Sequence, residues 1–167
     1  MSKNQNLLIL GAGQYGFVAR ETAQAMAYFE QIDFLDDNSE LAIGRLDDYK
    51  KALGRYTYAF VAIGNPQLRL RLLNELTESG FKLPVLVHPQ AVVMPSTQVA
   101  GGTIVEAQAV VNSNSVVGVG CLICAGAVVN HNSVLGDVCQ IDCGAVVPAR
   151  STVPSGTKVP CGGVYQV

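Results

Sequence analysis

A glycine-rich turn near the start of the chain has the residue types and spacing of a phosphate-binding loop. Residues 11–16, GAGQYG, place Gly11, Gly13 and Gly16 in a G-x-G-x-x-G motif directly after the apolar run LLIL. Such a turn can present backbone N–H groups and the N-terminus of a helix to a phosphate. Asp36 follows Gly16 by twenty residues, the distance at which a carboxylate meets the ribose in dinucleotide-binding folds. The motif favours a nucleotide ligand; the alternative is a tight strand-to-helix turn without one.

The side chain best suited to proton transfer is His131, one of two histidines in the chain. A histidine with an ordinary pKa of about 6.5 is largely neutral at physiological pH and can accept a proton from an attacking nucleophile. Residue type alone, however, favours an exposed histidine without a function. The other histidine, His88, is interpreted as part of a linker.

The second half of the chain, from residue 91 to residue 159, recurs every six residues. An aliphatic residue is repeated twelve times without a slip, and a small residue stands two positions before each. The aliphatic positions are Val93, Val99, Val105, Val111, Val117, Ile123, Val129, Leu135, Ile141, Val147, Val153 and Val159. This period is typical of a solenoid, because neither a helix nor a single strand produces it. Three such sides close one triangular coil of eighteen residues, with coils stacked about 4.8 Å apart, so the repeats predict four coils of parallel strands.

The first half alternates strands and helices. The predicted strands are residues 7–10, 32–35, 58–63 and 83–87, and the predicted helices are residues 14–29 and a segment from Pro66 to a stop at Gly80. A unit of about 85 residues corresponds to half of a complete dinucleotide domain. Its size therefore favours binding of one nucleotide over binding of NAD.

Composition argues against several classes of protein. The 167 residues carry a formal charge of −2, so no basic field indicates nucleic acid or a membrane surface. No apolar run approaches the ~20 residues that span a bilayer. The N-terminus, MSKNQNLLIL, has too short an apolar stretch for a signal peptide. We therefore expect a cytoplasmic protein.

All five cysteines lie in the repeat region. The pairs Cys121/Cys124 and Cys139/Cys143 have spacings that resemble zinc sites. However, Cys121 and Cys139 both occupy the small-residue position, eighteen residues apart, where cysteine packs as a small buried hydrophobe. Packing is therefore favoured over metal binding. Disulfides between stacked pairs, such as Cys143 with Cys161, are geometrically permitted but not expected in a reducing cytoplasm.

A short glycine-motif unit followed by hexapeptide coils resembles the bacterial nucleotide-sugar acetyltransferases, namely the UDP-4-amino-sugar N-acetyltransferases and related sialic acid O-acetyltransferases. The resemblance covers nearly the whole chain and is carried by LLILGAGQYG, FLDD, VAIGNPQLR and LVHPQAVV. It implies an α/β Rossmann-like half-domain followed by a left-handed parallel β-helix, a known exception to right-handed crossovers. Residues 1–86 would bind the nucleotide sugar and residues 87–167 would form the acyltransferase domain. Acetyl-CoA would bind on the β-helix, generally between subunits of a homotrimer, without a metal.

The resemblance also implies roles for individual residues. The nucleotide-sugar contacts carried over from the family are Gly11, Gly13, Gly16, Asp36, Asp37, Gly64 and Asn65. The family's catalytic histidine precedes a V/I-G-[DE] step, and NHNSVLGD at residues 130–137 matches this pattern. His131 is thus the expected general base for direct acyl transfer to an amino or hydroxyl group. Its neighbours eighteen residues away, Ser113 and Ala149, indicate a corner that faces solvent or a subunit.

The expected site also includes Asn132 as a catalytic residue, and Gln140 and Gly144 as contacts to acetyl-CoA. Asn132 stands where the family commonly has a glutamate that orients the imidazole, and Gln140 replaces a second histidine near the thioester. The N–H of Gly126 or of Gly144 is a candidate donor to the oxyanion. Near the glycine turn, Tyr15 replaces another family histidine.

The last coils depart from the family in length. The chain ends soon after Val159, so the surface available to the pantetheine of CoA is expected to be shorter. Arg150 and Lys158 are either contacts to the CoA phosphates or solvated charges. Three prolines follow core aliphatics here and are expected to discourage further strand addition, so that the chain would stop by design: Pro148, Pro154 and Pro160.

Two other functions compete with catalysis. A non-catalytic nucleotide-sugar-binding or assembly protein could keep this fold, and Asn132, Gln140 and the short C-terminus favour that possibility. A small NAD-binding protein with a β-helix appendage is supported only by the glycine turn and Asp36. The sequence does not predict which sugar, which base, or whether nitrogen or oxygen is acetylated.

Overall fold

The computed structural model describes residues 5–166. The chain divides into two compact units, one ending at Pro84 and the other beginning at Val85. Residues 1–4, part of the N-terminus that is predicted not to be a signal peptide, lie outside the described residues. No helix within residues 5–166 is long and apolar enough to cross a lipid bilayer.

The first unit is built on three parallel strands in the order β2-β1-β3. Its elements are β1 (Leu7–Leu10), α1 (Gln14–Ala25), β2 (Ile32–Leu35), a 3₁₀ helix (Leu46–Ala52), β3 (Tyr58–Val61) and α2 (Pro66–Glu78). All four residues of β1 are buried, as expected for the central strand of a sheet covered on both faces. The first two predicted strands are confirmed, and β3 ends two residues before its predicted end.

Helix α1 ends four residues earlier than predicted. Its C-cap is Met26, and Ala27 then has a left-handed backbone with φ of +50°. Phe29, predicted to lie in the helix, instead packs against Tyr58 with ring centroids 5.6 Å apart. The contact between the aromatic rings therefore lies beyond the helix end.

Helix α2 has the predicted start and stop. Asn65 caps it, because its Oδ1 accepts the N–H of Leu68 at 2.9 Å, and Pro66 occupies the first turn. Gly80 follows with φ of +98°, a conformation that favours glycine. Leu72, Leu73 and Leu76 form its buried face.

The second unit is a parallel β-helix with three faces, A, B and C, built from two-residue strands. Face A contains β4 (Leu86–Val87), β7 (Ile104–Val105), β10 (Leu122–Ile123), β13 (Gln140–Ile141) and β16 (Lys158–Val159); face B contains β5 (Val92–Val93), β8 (Val110–Val111), β11 (Val128–Val129) and β14 (Val146–Val147); face C contains β6 (Gln98–Val99), β9 (Val116–Val117), β12 (Val134–Leu135) and β15 (Thr152–Val153). Each strand pairs in register with the strand eighteen residues along, as Val128 pairs with Val146. The coils predicted from the six-residue period are confirmed.

Strand β4 corrects the sequence prediction for residues 83–87. That segment was expected as the last strand of the first unit, but β4 is only Leu86–Val87 and pairs in parallel with β7. The reason is visible in the repeat: Val87 lies six residues before Val93 and eighteen before Val105, and it packs against the β-helix core. The repeat therefore begins one side earlier than predicted.

Most of the small residues at the corners are buried, and several with a hydroxyl or thiol donate to a carbonyl of the next coil. The Oγ of Ser115 donates to the carbonyl of Asn130 at 2.9 Å, and the Sγ of Cys121 donates to that of Gly136 at 3.2 Å. A hydroxyl and a thiol thus make the same contact, which explains why cysteine can replace serine here. Cys121 and Cys139 are buried free thiols, so their predicted packing role is confirmed.

The coil from residue 148 to residue 160 lacks backbone N–H donors that the earlier coils have. In earlier coils the residue after the core aliphatic donates its N–H to the following coil, as Asn130 does to Val147 at 3.0 Å. Prolines, which lack this donor, occupy the equivalent places in the last coil: Pro148, Pro154 and Pro160. Tyr165 packs against the end of the core, and its N–H donates to the carbonyl of Val146 at 2.9 Å.

Candidate active site

Two of the three motif glycines are required by close backbone approach. A Cβ on Gly16 would lie 2.2 Å from the carbonyl oxygen of Gly11, and a Cβ on Gly11 would lie 2.7 Å from that of Ala62. Gly11 also has φ of +104°. For these two positions the tight turn alone explains the glycine. Gly13 is different, because it is exposed and a Cβ there would meet nothing within 4 Å.

The N-terminus of α1 is open toward this exposed glycine. Gly13 is the N-cap of the twelve-residue helix, no side chain caps it, and its first turn has no acidic residue. The first N–H groups of a helix carry partial positive charge and lack intrahelical acceptors. They are therefore available to an anionic group such as a phosphate.

Asp36 ties the loop after β2 to the glycine turn. Its Oδ2 accepts the N–H of Ala12 and its Oδ1 accepts the N–H of Asn38, both at 2.8 Å. These hydrogen bonds lower the pKa of the Asp36 carboxyl below its ordinary value, and the bond from Ala12 has the largest effect. Asp37 is exposed, and its Oδ1 accepts from Nε of Arg45 at 3.3 Å. Asp36 thus shapes the loop, whereas Asp37 lies at its surface.

The loop after β3 is organised by a residue that the sequence analysis did not single out. Arg69 is fully buried, and its Nη1 donates to the carbonyls of Ile63 at 2.6 Å and Gly64 at 3.0 Å. Gly64 and Asn65 themselves are exposed. A signal existed, since Arg69, Leu72, Leu73 and Leu76 share the i, i+3, i+4, i+7 spacing of one helix face.

The structure brings the predicted nucleotide residues to one edge of the sheet. The strands are parallel, so the loops after β1, β2 and β3 all leave at their carboxyl ends. Gly11 N donates to Leu35 O and Ala62 N donates to Leu10 O, each at 2.8 Å. Strand order reverses between β1 and β3, the position at which open α/β sheets bind ligands.

His131 lies at the corner between faces B and C, here called the B–C corner, which comprises residues 130–132 and their equivalents eighteen residues away. Both His131 and Asn132 are exposed. The amide nitrogen of Asn132 lies 2.8 Å from Nδ1 of His131. Turning the amide by 180° would let it accept from an Nδ1–H instead. The described contact of Asn132 with the ring of His131 is therefore at Nδ1, not at Nε2.

One coil further along the B–C corner lie Ala149 and Arg150. The N–H of Arg150 donates to the carbonyl of His131 at 3.0 Å, and Arg150 has a left-handed backbone with φ of +63°. Its exposed guanidinium makes no ion pair with any residue in 5–166. The N–H of Ala149 has no acceptor within the same range.

Gln140 and Gly144 lie elsewhere on the β-helix. Gln140 is on face A, where its amide nitrogen donates to Oδ1 of Asp142 at 2.6 Å, and Oδ2 of Asp142 pairs with Lys158 at 3.3 Å. Gly144 is at the corner between faces A and B, and its N–H donates to the carbonyl of Ala125 at 3.0 Å. Face A is opposite the B–C corner, so one chain does not bring these two residues to His131.

The faces beside the B–C corner carry exposed valines. Val92 on face B is 49% exposed, and Val116 and Val134 on face C are 38% and 45% exposed. On face A the outward-facing Leu86 and Ile104 are fully buried. Apolar surface is therefore exposed on both faces that meet at the B–C corner.

Within residues 5–166 no group of three or more His, Cys, Asp or Glu side chains is arranged to hold a metal ion. The zinc-like cysteine spacings fall on thiols with other contacts. Burial, followed by the nearby Glu106 carboxylate, raises the pKa of the Cys124 thiol strongly, which disfavours the thiolate that a metal would bind.

Known proteins with this architecture share both units. Residues 6–76 match the PglD N-terminal domain. The acetyltransferase domain of PglB from Neisseria gonorrhoeae FA1090 is 31% identical, with a TM-score of 0.87 over 98% of this chain and 92% of that one. In its complex with acetyl coenzyme A the TM-score is 0.84, over 96% and 90% of the two chains at 31% identity. A mutant of perosamine N-acetyltransferase from Caulobacter crescentus, in complex with CoA and GDP-perosamine, is 26% identical with a TM-score of 0.84 over 96% and 88%.

The fold and the comparisons together define an acetyltransferase with a left-handed parallel β-helix, preceded by an α/β unit. The family expected from the sequence is confirmed. The chain belongs to the bacterial nucleotide-sugar acetyltransferases.

Proposed function

We propose that this protein transfers the acetyl group of acetyl-CoA to an amino or hydroxyl group of a nucleotide-linked sugar, with His131 as the general base. The observation that carries the proposal is the placement of His131, whose ring is exposed at a β-helix corner and held at Nδ1 by Asn132. A held ring with one accessible nitrogen is the arrangement that general-base catalysis requires.

The reaction needs no covalent enzyme intermediate. The neutral imidazole takes a proton from the attacking amine or hydroxyl, which forms a bond to the acetyl carbonyl carbon. The carbon–sulfur bond then breaks, and CoA leaves as a thiol after taking up the proton from the imidazolium. Asn132 can orient the ring but, as a neutral amide, cannot stabilise the imidazolium by charge.

The oxyanion formed on the acetyl carbonyl needs a nearby donor. The N–H of Gly144 and that of Gly126 each donate to the carbonyl of the preceding coil. We therefore place the donor at the B–C corner, where the N–H of Ala149 stacks one coil from His131. Gln140 and Gly144 would contact acetyl-CoA from another subunit.

The first unit is proposed to bind the nucleotide. The diphosphate would contact the open N-terminus of α1 at Gly13, with the nucleoside in the crevice bounded by Asp37, Gly64 and Asn65. Gly11, Gly16 and Asp36 would act by shaping this edge. The first unit is thus the proposed nucleotide-sugar-binding domain, and the β-helix the acyltransferase domain.

We further propose a homotrimer located in the cytoplasm. Exposed valines on faces B and C would be buried if copies of the chain packed against these faces, and a second chain would supply Gln140 of face A and Gly144 of the A–B corner. The five free thiols agree with a reducing compartment, in which acetyl-CoA is also available.

The test is release of free thiol from acetyl-CoA in the presence of UDP- and GDP-linked amino sugars. His131→Ala is expected to lose about 10²–10⁴-fold in rate. His88→Ala is the matched control and is expected to keep wild-type activity. Equal rates in wild type and His131→Ala would overturn the catalytic role. Tight nucleotide-sugar binding without turnover by the wild type would favour a binding protein instead.

A further inference from the structure

Asn130, directly before His131, is held by both neighbouring coils. Its backbone carbonyl accepts from Oγ of Ser115 at 2.9 Å, and its N–H donates to the carbonyl of Val147 at 3.0 Å. Its Oδ1 accepts the N–H of His131 at 2.8 Å and Nδ2 of Asn112 at 3.3 Å. The side chain is half-buried. Its position is therefore fixed by four hydrogen bonds.

The hydrogen bond that the side chain of Asn130 accepts from the next residue is not repeated in the neighbouring coils of this corner. Asn112 stands at the same position one coil earlier, but its amide points to Asn130, and the N–H of Ser113 has no acceptor within residues 5–166. One coil later the position is Pro148, and one coil before Asn112 it is Met94. At the B–C corner, the hydrogen bond from a backbone N–H to the preceding side chain therefore occurs in the coil that carries His131 and not in its two neighbours.

We propose that Asn130 is a positioning residue for His131; this inference rests on the proposed function. The backbone of His131 is at an exposed corner, where its carbonyl accepts from Arg150 and its N–H donates to Asn130. Fixing both groups fixes the direction of the Cα–Cβ bond and hence the arc on which the ring lies. Asn132 then selects the ring orientation from the other side. Asn112 supports Asn130 but does not touch His131.

The test compares Asn130→Ala with Asn112→Ala. Both remove one member of the same asparagine pair, so both lose the bond between them, but only Asn130→Ala frees the N–H of His131. We expect Asn130→Ala to lower kcat on the order of 10- to 100-fold, with KM for acetyl-CoA unchanged, because misplacement of a catalytic group slows the chemical step. Asn112→Ala is expected to stay within about twofold of wild type. Similar losses of kcat in both variants would overturn the proposal.

Asn130→Asp keeps the inference testable if Asn130→Ala folds poorly. A carboxylate can accept the same two N–H groups, so kcat at high pH should recover to within about threefold of wild type. Its negative charge favours the imidazolium, so the acid limb of the rate–pH profile should move to higher pH. An unchanged profile, or no recovery, would contradict the positioning role. Absence of His131-dependent turnover in the wild type would instead refute the proposed function.

Discussion

The neutral amide at Asn132 has a consequence for the pH dependence of the reaction. In Asn132→Asp the carboxylate would accept from an Nδ1–H and stabilise the protonated ring. We expect the acid limb of the rate–pH profile to move to higher pH, with activity retained above it. Asn114→Asp is the matched control, because Asn114 has the same left-handed backbone one coil earlier, with φ of +57° in both residues. Equal profiles for the two variants would show that Asn132 does not contact the ring.

Asp36 is expected to make stability depend on pH. The N–H of Ala12, and after it that of Asn38, lowers the pKa of Asp36 in the folded state. The carboxylate therefore stabilises the fold above the unfolded pKa, and this stabilisation is lost as the pH falls through the folded pKa. Asp36→Asn should therefore lower the free energy of unfolding at pH 7 by about 1 kcal/mol, and the difference from wild type should shrink at an acid pH well below the ordinary carboxyl value of 3.8. Urea denaturation at both pH values measures this, with the exposed Asp37→Asn as control. A difference that persists at low pH would contradict it.

For individual residues of the site, the sequence predicted the residue types better than their contacts. The glycine motif and the exposure of His131 were predicted, because backbone approach and corner position follow from spacing. The hydrogen bond from the N–H of Ala12 to Asp36 and the burial of Arg69 could not be predicted in the same way, since both depend on which loops meet at the sheet edge.

Among the elements, the strand-to-helix turn contains one glycine that close packing requires, Gly16, and one that it does not, Gly13. Gly16→Ala would place a Cβ 2.2 Å from the carbonyl oxygen of Gly11, so we expect a loss of at least about 2 kcal/mol in the free energy of unfolding. Gly13→Ala, at an open position with φ of −76°, should fold normally. Chemical denaturation of both variants measures the difference. Equal stability would mean that the turn can relax.

The corners of the β-helix predict which thiols react. Cys143 and Cys161 are exposed, whereas Cys121, Cys124 and Cys139 are buried. Alkylation of the native protein with iodoacetamide should therefore label two of the five thiols, and the other three only after denaturation. Mass spectrometry of the labelled peptides identifies the sites. Rapid labelling of Cys121 in the native state would contradict the packing of the small-residue column.

The elements were predicted well where one periodicity decides them. The six-residue period specified the coils, because each side must place one aliphatic residue inside. The end of α1 and the identity of β4 were wrong, since apolar residues such as Phe29 and Val87 fit either neighbouring element. Only the aromatic contact with Tyr58 and the pairing with β7 decide between them.

For the whole molecule, exposed valines beside the B–C corner predict that assembly and activity are linked. Val134→Glu would place a charge on apolar surface that is buried in the proposed trimer, so we expect dissociation and loss of thiol release although His131 is intact. Sedimentation velocity measures the assembly. Gln98→Glu is the control on the same face, at a position that is already polar and exposed. A monomeric wild type that is fully active would refute the trimer.

The spacing between His131 and Gln140 already indicated that one chain does not bring these two residues together. Nine residues are half of an eighteen-residue coil, so the two positions must lie on opposite sides of one prism. The proposed contact between these residues across two chains could not be predicted from the spacing. The contacts of Gln140 and Lys158 with Asp142 likewise depend on side-chain geometry that no repeat predicts.

The prolines at residues 148, 154 and 160 bear on strand pairing at this edge of the described β-helix. A stack of in-register parallel strands can template another stack on its open end, much as a fibril adds chains. Pro148, Pro154 and Pro160 remove one donor from each side of that end, and Tyr165 covers its apolar centre. Replacing the prolines with residues that carry an N–H, and Tyr165 with a small residue, would restore to this coil the donors with which an added in-register strand could pair.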